Sequence, residues 1–111
     1  MGTGYSGRYG TTKGAYSSVI NSLPKSPDKL LEMGWKDTTP ANMAQNTTSK
    51  VFTNKDGLRV RFDKGDSDAG GYGGKDHYHV FNPNSTGKYD YYLDKNGNPV
   101  PKNSKVSHII P

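Results

Sequence analysis

The sequence predicts a small α+β domain, with N-terminal helices packed on a twisted antiparallel sheet of about four strands. Three observations carry this expectation. Apolar residues at helical spacing come before residue 36, two-residue alternation takes over after residue 49, and turn signals part the alternating runs at hairpin distances. A chain of 111 residues predicts one domain with a core of modest size. Hydrophobic residues supply only 30% while Gly and Pro take 14 and 7 positions, which favours short strands and long loops over a helical bundle. Eight tyrosines argue against disorder, because disordered segments are poor in aromatics.

Residues 1–14 are rich in Gly, Thr, Tyr and Ser, carry Arg8 and Lys13, and show no apolar period; they read as a flexible arm ahead of a single domain over 15–111. Residues 15–23 predict a short helix with Ala15, Val19, Ile20 and Leu23 on one face, ended by Pro24. Ser26-Pro27-Asp28 predicts a second helix start, with Ser26 as the cap and Asp28 and Glu32 towards the positive end of the dipole. Leu30, Leu31 and Met33 would form its apolar side, Gly34 its stop, and Trp35 a core plug. Residues 36–49 predict a polar loop with a helical turn around 41–45.

Strands 50–53 and 58–62 then pair across the hairpin signal Asn54-Lys55-Asp56-Gly57. In the second of them Leu58, Val60 and Phe62 face one way, and Arg59, Arg61 and Asp63 the other. A glycine-rich loop over 64–74, holding Asp66 and Asp68, leads into a strand over 76–82. A turn over 82–87, a tyrosine-rich strand over 88–93, a turn at Asp94-Lys95-Asn96-Gly97 and a last strand over 106–110 complete the expected sheet.

Charge narrows the choice of partner. Lys plus Arg outnumber Asp plus Glu by 15 to 10, a net charge of +5, which draws a small domain towards phosphate polymers or simply keeps it soluble. The absence of cysteine excludes a disulfide-stapled scaffold and a thiolate metal site, while a domain that unfolds to cross a membrane would also lack disulfides. No apolar run is long enough for a signal peptide or a membrane-spanning helix. The opening Met1-Gly2-Thr3-Gly4 reads as a piece of a longer exported parent.

The chemistry-bearing stretch is Gly73-Gly74-Lys75-Asp76-His77-Tyr78-His79-Val80-Phe81-Asn82-Pro83. Its two histidines, spaced by two on a strand, would point the same way, and imidazole both gives and takes protons near neutrality. Cleavage of RNA by its own 2′-hydroxyl needs a base, an acid and a cation beside the phosphate, and neither metal nor cofactor. His77, His79 and His108 offer the acid and base, and Lys75, Lys88 and Arg61 the cation. Arg59 lies where a phosphate stripe would run, and Tyr78, Tyr89, Tyr91 and Tyr92 offer flat surfaces for unpaired bases. The bland readings are histidines bonded to backbone, lysines for solubility and tyrosines packing the sheet. His77 and His79 would also chelate a metal, with Asp76, Asn82 or His108 completing the site, which suits a metal-dependent DNase. A non-catalytic nucleic-acid or protein-binding module would need only the tyrosines and the charge.

A resemblance adds to this. Lys-Ser-Pro-Asp-Lys-Leu-Leu-Glu-Met-Gly-Trp, Val-Arg-Phe-Asp-Lys-Gly, Gly-Lys-Asp-His-Tyr-His-Val-Phe-Asn-Pro, Tyr-Leu-Asp-Lys-Asn-Gly-Asn-Pro-Val and Ser-His-Ile-Ile-Pro span residues 24–111. Together they resemble the C-terminal toxin domains of bacterial polymorphic toxins, found on contact-dependent inhibition proteins, filamentous-haemagglutinin-like proteins and LXG-type exported toxins. The resemblance implies a ribonuclease of the barnase/EndoU/colicin/RelE-like group, secreted as the tail of a larger protein and active in the cytoplasm of a target bacterium. It points at Lys75, His77, His79 and His108 as catalytic, and it implies an acidic immunity protein covering a basic site. Arg61 joins the catalytic set from the residues themselves; Arg59, Lys88, Tyr91 and Asn82 are the expected substrate contacts. EndoU-type enzymes carry their histidines on separate motifs, whereas here two lie together.

Overall fold

The computed structural model describes residues 16–43, 48–65 and 74–111. The expected arm over 1–14 and most of the loop over 64–74 lie outside the described residues. Two five-residue helices, α1 (Ser17–Asn21) and α2 (Asp28–Glu32), precede a six-stranded sheet. The strands are β1 (Lys36–Asp37), β2 (Ser49–Thr53), β3 (Arg59–Asp63), β4 (His77–Phe81), β5 (Tyr92–Leu93) and β6 (Pro99–Val100). They run in chain order across the sheet and every neighbouring pair is antiparallel, so the sheet is an open meander.

The α+β class stands as expected, with six strands in place of four. Lys36–Asp37 was expected in a loop, and Pro99–Val100 was expected in no strand at all. Each has two residues, too few to display an alternation, and Pro99 is tolerated because β6 is the sheet's edge. The expected strand over 88–93 is shortened, since Lys88–Asp90 forms a 3₁₀ turn. The expected last strand over 106–110 is a second such turn, Lys105–Ser107, followed by a single bridge from Ile109 to Tyr78. In α2 the cap position belongs to Pro27 rather than Ser26; Ser26 contributes its carbonyl, which accepts from Lys29 N–H at 3.1 Å. Of its expected apolar side only Leu30 is buried, while Leu31 and Met33 are half exposed.

The β2–β3 hairpin forms where the Asn-Lys-Asp-Gly signal places it. Asn54 Oδ1 accepts from both Asp56 N–H and Leu58 N–H, and Gly57 takes φ +86°, a conformation that a side chain disfavours. Pairing then fixes which side chains share a face. Phe52, Val60, Val80 and Leu93 lie across from one another, as do Phe62 and Tyr78, and all six enter the core with Ile20, Leu23, Leu30, Trp35, Leu58 and Ile109. Tyr78 is fully buried and satisfies its hydroxyl by donating to Pro24 O at 2.7 Å, tying β4 to the segment between the helices. Among the described residues no helix is long and apolar enough to cross a membrane.

Candidate active site

Alternation puts the opposite set of side chains on the other sheet face. Arg61 pairs with His79 and Asp63 with His77, so a guanidinium, a carboxylate and two imidazoles meet across the β3–β4 ladder. The third imidazole arrives from the chain's end. Ile109 and Tyr78 exchange both backbone bonds, at 2.8 and 2.9 Å, which sends Ile109 into the core and turns its neighbour His108 onto the site face. The His108 ring then lies 4.7 Å from that of His77 and 4.6 Å from that of His79, centroid to centroid.

Asp63 is the hub. Its Oδ2 accepts from Arg61 Nη2 at 2.8 Å, Arg61 Nε reaches both carboxylate oxygens at 3.1 Å, and Ser49 Oγ donates to Oδ1 at 2.7 Å. The same Oδ2 lies 3.4 Å from His77 Nε2 and 3.5 Å from His79 Nε2. Burial would raise the Asp63 carboxyl, but bonds from His77, Arg61 and Ser49 outweigh it and hold the group well below the ordinary carboxylate range.

The far nitrogen of each ring is anchored, which fixes the ring's orientation. His77 Nδ1–H donates to Lys75 O at 2.9 Å, and His108 Nδ1–H donates to Lys105 O at 3.0 Å. Ser107 commits its hydroxyl hydrogen to Ser104 O at 2.6 Å, so its oxygen is left to accept from His79 Nδ1–H at 3.3 Å. His79 therefore turns a bare Nε2 towards Asp63 and Arg61.

Two adjacent imidazoles are thus driven in opposite directions. The bond to Asp63 raises His77 above its ordinary 6.5, against the cost of its burial. His79 is lowered to about 3 by its burial first, and then by the positive charges of Arg61 and His108. One carboxylate serves both rings; the bond it makes to His77 leaves His79 flanked by cations. Tyr92 stacks on the His79 ring at 4.7 Å and 29°, closing it from that side.

The expected site residues are distributed as follows. Arg61, His77, His79 and His108 come together. Lys75 is exposed and meets the cluster through its carbonyl. Arg59 sits over the Phe81 ring at 4.5 Å, and Lys88 over the Tyr89 ring at 5.3 Å. Tyr91 packs on Tyr92 at 4.9 Å and on Phe81 at 5.8 Å, with the Lys102 ammonium 5.1 Å from its ring. Asn82 is buried and spends its amide on the turn, donating to Asp90 O at 2.8 Å and accepting from Asn84 N–H at 3.0 Å. Asp76 accepts from Gly65 N–H at 2.8 Å.

Ser49 and Ser107 were not expected, Asp63 was expected only on the polar face of its strand, and Tyr92, expected as a surface for an unpaired base, is instead buried against His79. The signal for Asp63 was present, because the alternation that exposes Arg59 and Arg61 puts Asp63 on the same face. A ring nitrogen from each of His77, His79 and His108 lies within 4.8 Å of the others, so the three could hold a divalent ion, with Lys75 O, Ser107 Oγ and Lys105 O orienting them. An ion there would first have to displace the proton that Asp63 favours on His77.

Comparisons with protein-family models, with curated proteins and with solved structures find no match to this chain.

Proposed function

We propose that the chain is a metal-independent endoribonuclease in which His79 is the base, His77 the acid and Arg61 the phosphate ligand. The observation that carries this is the cross-strand arrangement itself. Two anchored imidazoles share Asp63 Oδ2 at 3.4 and 3.5 Å, and the Arg61 guanidinium lies against the same carboxylate. In the proposed reaction His79 Nε2 takes the proton of a 2′-hydroxyl as O2′ attacks the adjacent phosphorus. The P–O5′ bond breaks, and His77 gives its Nε2 proton to the departing O5′. Charge building on the phosphorane is met by Arg61, which keeps about a third of its side chain exposed, with His108 half-buried beside the pair. The products are a 2′,3′-cyclic phosphate and a 5′-hydroxyl. His79 then holds the proton that His77 has lost, and Asp63, within reach of both, favours its return.

Opposed protonation of neighbouring groups supports the same division of labour, since a base must start empty and an acid loaded. The net charge of +5 supports an RNA substrate. With the resemblance to polymorphic-toxin tails, the setting we infer is antibacterial. The domain would travel on a larger exported protein, act in the cytoplasm of a rival cell, and be neutralised at home by an acidic immunity protein covering the basic face.

The test is purified domain incubated with total RNA in excess EDTA. Discrete cuts ending in a 2′,3′-cyclic phosphate, lost in His79→Gln and His77→Gln variants that keep their fold, are expected. A second reading, a metal-dependent DNase, is favoured by the convergence of three ring nitrogens within 4.8 Å. It predicts DNA cleavage that EDTA abolishes. Nucleic-acid binding without cleavage under either condition would instead mark a non-catalytic module.

A further inference from the structure

Of the tyrosines on the sheet and its turns, most are already used. Tyr78 is sealed in the core, Tyr92 covers His79, and Tyr91 is half buried among Phe81, Tyr92 and Lys102. Tyr89 differs: it is 75% exposed. Such exposure on a floppy loop would mean little, but Tyr89 stands on a braced turn. Asp90 accepts from Thr86 N–H at 2.9 Å and Gly87 N–H at 3.0 Å, Asn82 grips Asp90 O, and Lys102 N–H donates to Lys88 O at 2.7 Å. That last bond brings a second lysine into the same shallow cleft, of about 160 Å³, lined by Lys88, Tyr89, Pro101, Lys102 and Asn103.

We propose that this edge is a nucleotide subsite, in which one unpaired base of an RNA strand stacks on Tyr89 while Lys88 and Lys102 hold the phosphates beside it. The proposal rests on the ribonuclease reading for its substrate and extends that reading to a surface outside the histidine cluster. Three features match this occupant. An exposed ring on a braced turn offers a stacking face without the turn first having to be ordered. The Lys88 ammonium lies over the Tyr89 ring and the Lys102 ammonium over Tyr91, and both residues line the one cleft, which suits a base with a phosphate on either side. The position is also continuous with the cluster. Tyr92 lies buried on His79, the half-buried Tyr91 packs on Tyr92, and the exposed Lys102 reaches from the cleft to Tyr91, so Tyr91 and Lys102 lead from the histidines to Tyr89.

The test uses a short fluorescein-labelled 2′-O-methyl RNA, single-stranded, whose blocked 2′-oxygens prevent cleavage, and reads Kd by anisotropy. Tyr89→Ala should weaken binding about 5- to 150-fold, the range that loss of one base–aromatic stack gives, and Tyr89→Trp should restore it. Lys102→Gln should flatten the slope of log Kd against log salt by roughly 0.7, the loss of one phosphate contact on a single strand. A duplex of the same sequence, whose bases are already stacked, should bind the wild type and Tyr89→Ala alike. Unchanged single-strand affinity in Tyr89→Ala, or an equal loss on the duplex, would overturn the subsite. Because the oligonucleotide cannot be cut, the outcome is independent of catalysis: a preparation that cleaves no RNA yet shows the Tyr89 effect sinks the ribonuclease and keeps the subsite. One that cleaves RNA without that effect does the reverse.

Discussion

Asp63 and His77 are register partners on neighbouring strands, and their side chains meet with Oδ2 3.4 Å from Nε2. The relationship fixes a charged imidazole at a position that is otherwise buried, because the carboxylate favours the proton that burial would expel. The acid in the proposed reaction is therefore made by β3 as much as by β4.

Replacing Asp63 with Asn keeps the shape and removes the charge. We expect kcat to fall by about 10²-fold or more, within the range usually contributed by a positioned acid, and the alkaline limb of the rate profile to move down towards the ordinary histidine value. Urea unfolding should show a loss of about 1–3 kcal/mol, since Arg61 is left without its carboxylate. A full-rate Asp63→Asn enzyme would remove Asp63 from the mechanism.

The pH dependence in EDTA follows from the two opposed shifts. His77, raised above 6.5, stays loaded below 6.5 and loses its proton only as the pH climbs through its folded value. His79, lowered to about 3, stays an empty base down to that pH. The rate should thus be flat between about pH 3 and pH 6.5, as far as the fold survives, and decline on the alkaline side. For stability the signs differ. The His77 contribution is complete below 6.5 and is lost as the pH rises through its folded value, whereas His79 weakens the fold as the pH drops from 6.5 towards 3, where only the unfolded chain binds its proton. An acid limb near 6.5 in the rate profile would contradict the assignment of His79 as base.

Gly65 supplies a steric test remote from the reacting atoms. A Cβ there would come within 2.6 Å of the Lys75 backbone carbonyl carbon, the very carbonyl whose oxygen anchors His77 Nδ1. Gly65→Ala must push the two segments apart and shift the His77 ring. A displacement approaching 1 Å would lower kcat by about 10²-fold. Kd for uncleavable RNA should change little, and an unaltered kcat would show that the Lys75 anchor is dispensable.

Much of this was legible in the chain. The Asn54–Gly57 hairpin signal and the alternation in Arg59–Asp63 predicted β2 and β3 and the polar face of β3, and the two-residue spacing of His77 and His79 predicted a shared direction. What escaped was set by tertiary pairing. Nothing local in Ser-His-Ile-Ile says that Ile109 bonds to Tyr78 and so delivers His108 to the other imidazoles. Two-residue strands such as Lys36–Asp37 and Pro99–Val100 are too brief to carry a period. Asn82 looked like a functional polar residue and is spent on its own turn, an accounting that only the position of Asp90 reveals.

In the proposed reaction the substrate's own 2′-oxygen is the nucleophile. This is tested most directly with a short RNA carrying one strong cut site, compared with the same RNA bearing a single 2′-deoxynucleotide immediately 5′ of the scissile phosphate, both in EDTA. Cleavage of the first and complete protection of the second at that one position are expected. Equal cleavage of the two would mean that water or the protein attacks phosphorus, and the imidazole pair would not be doing the chemistry described.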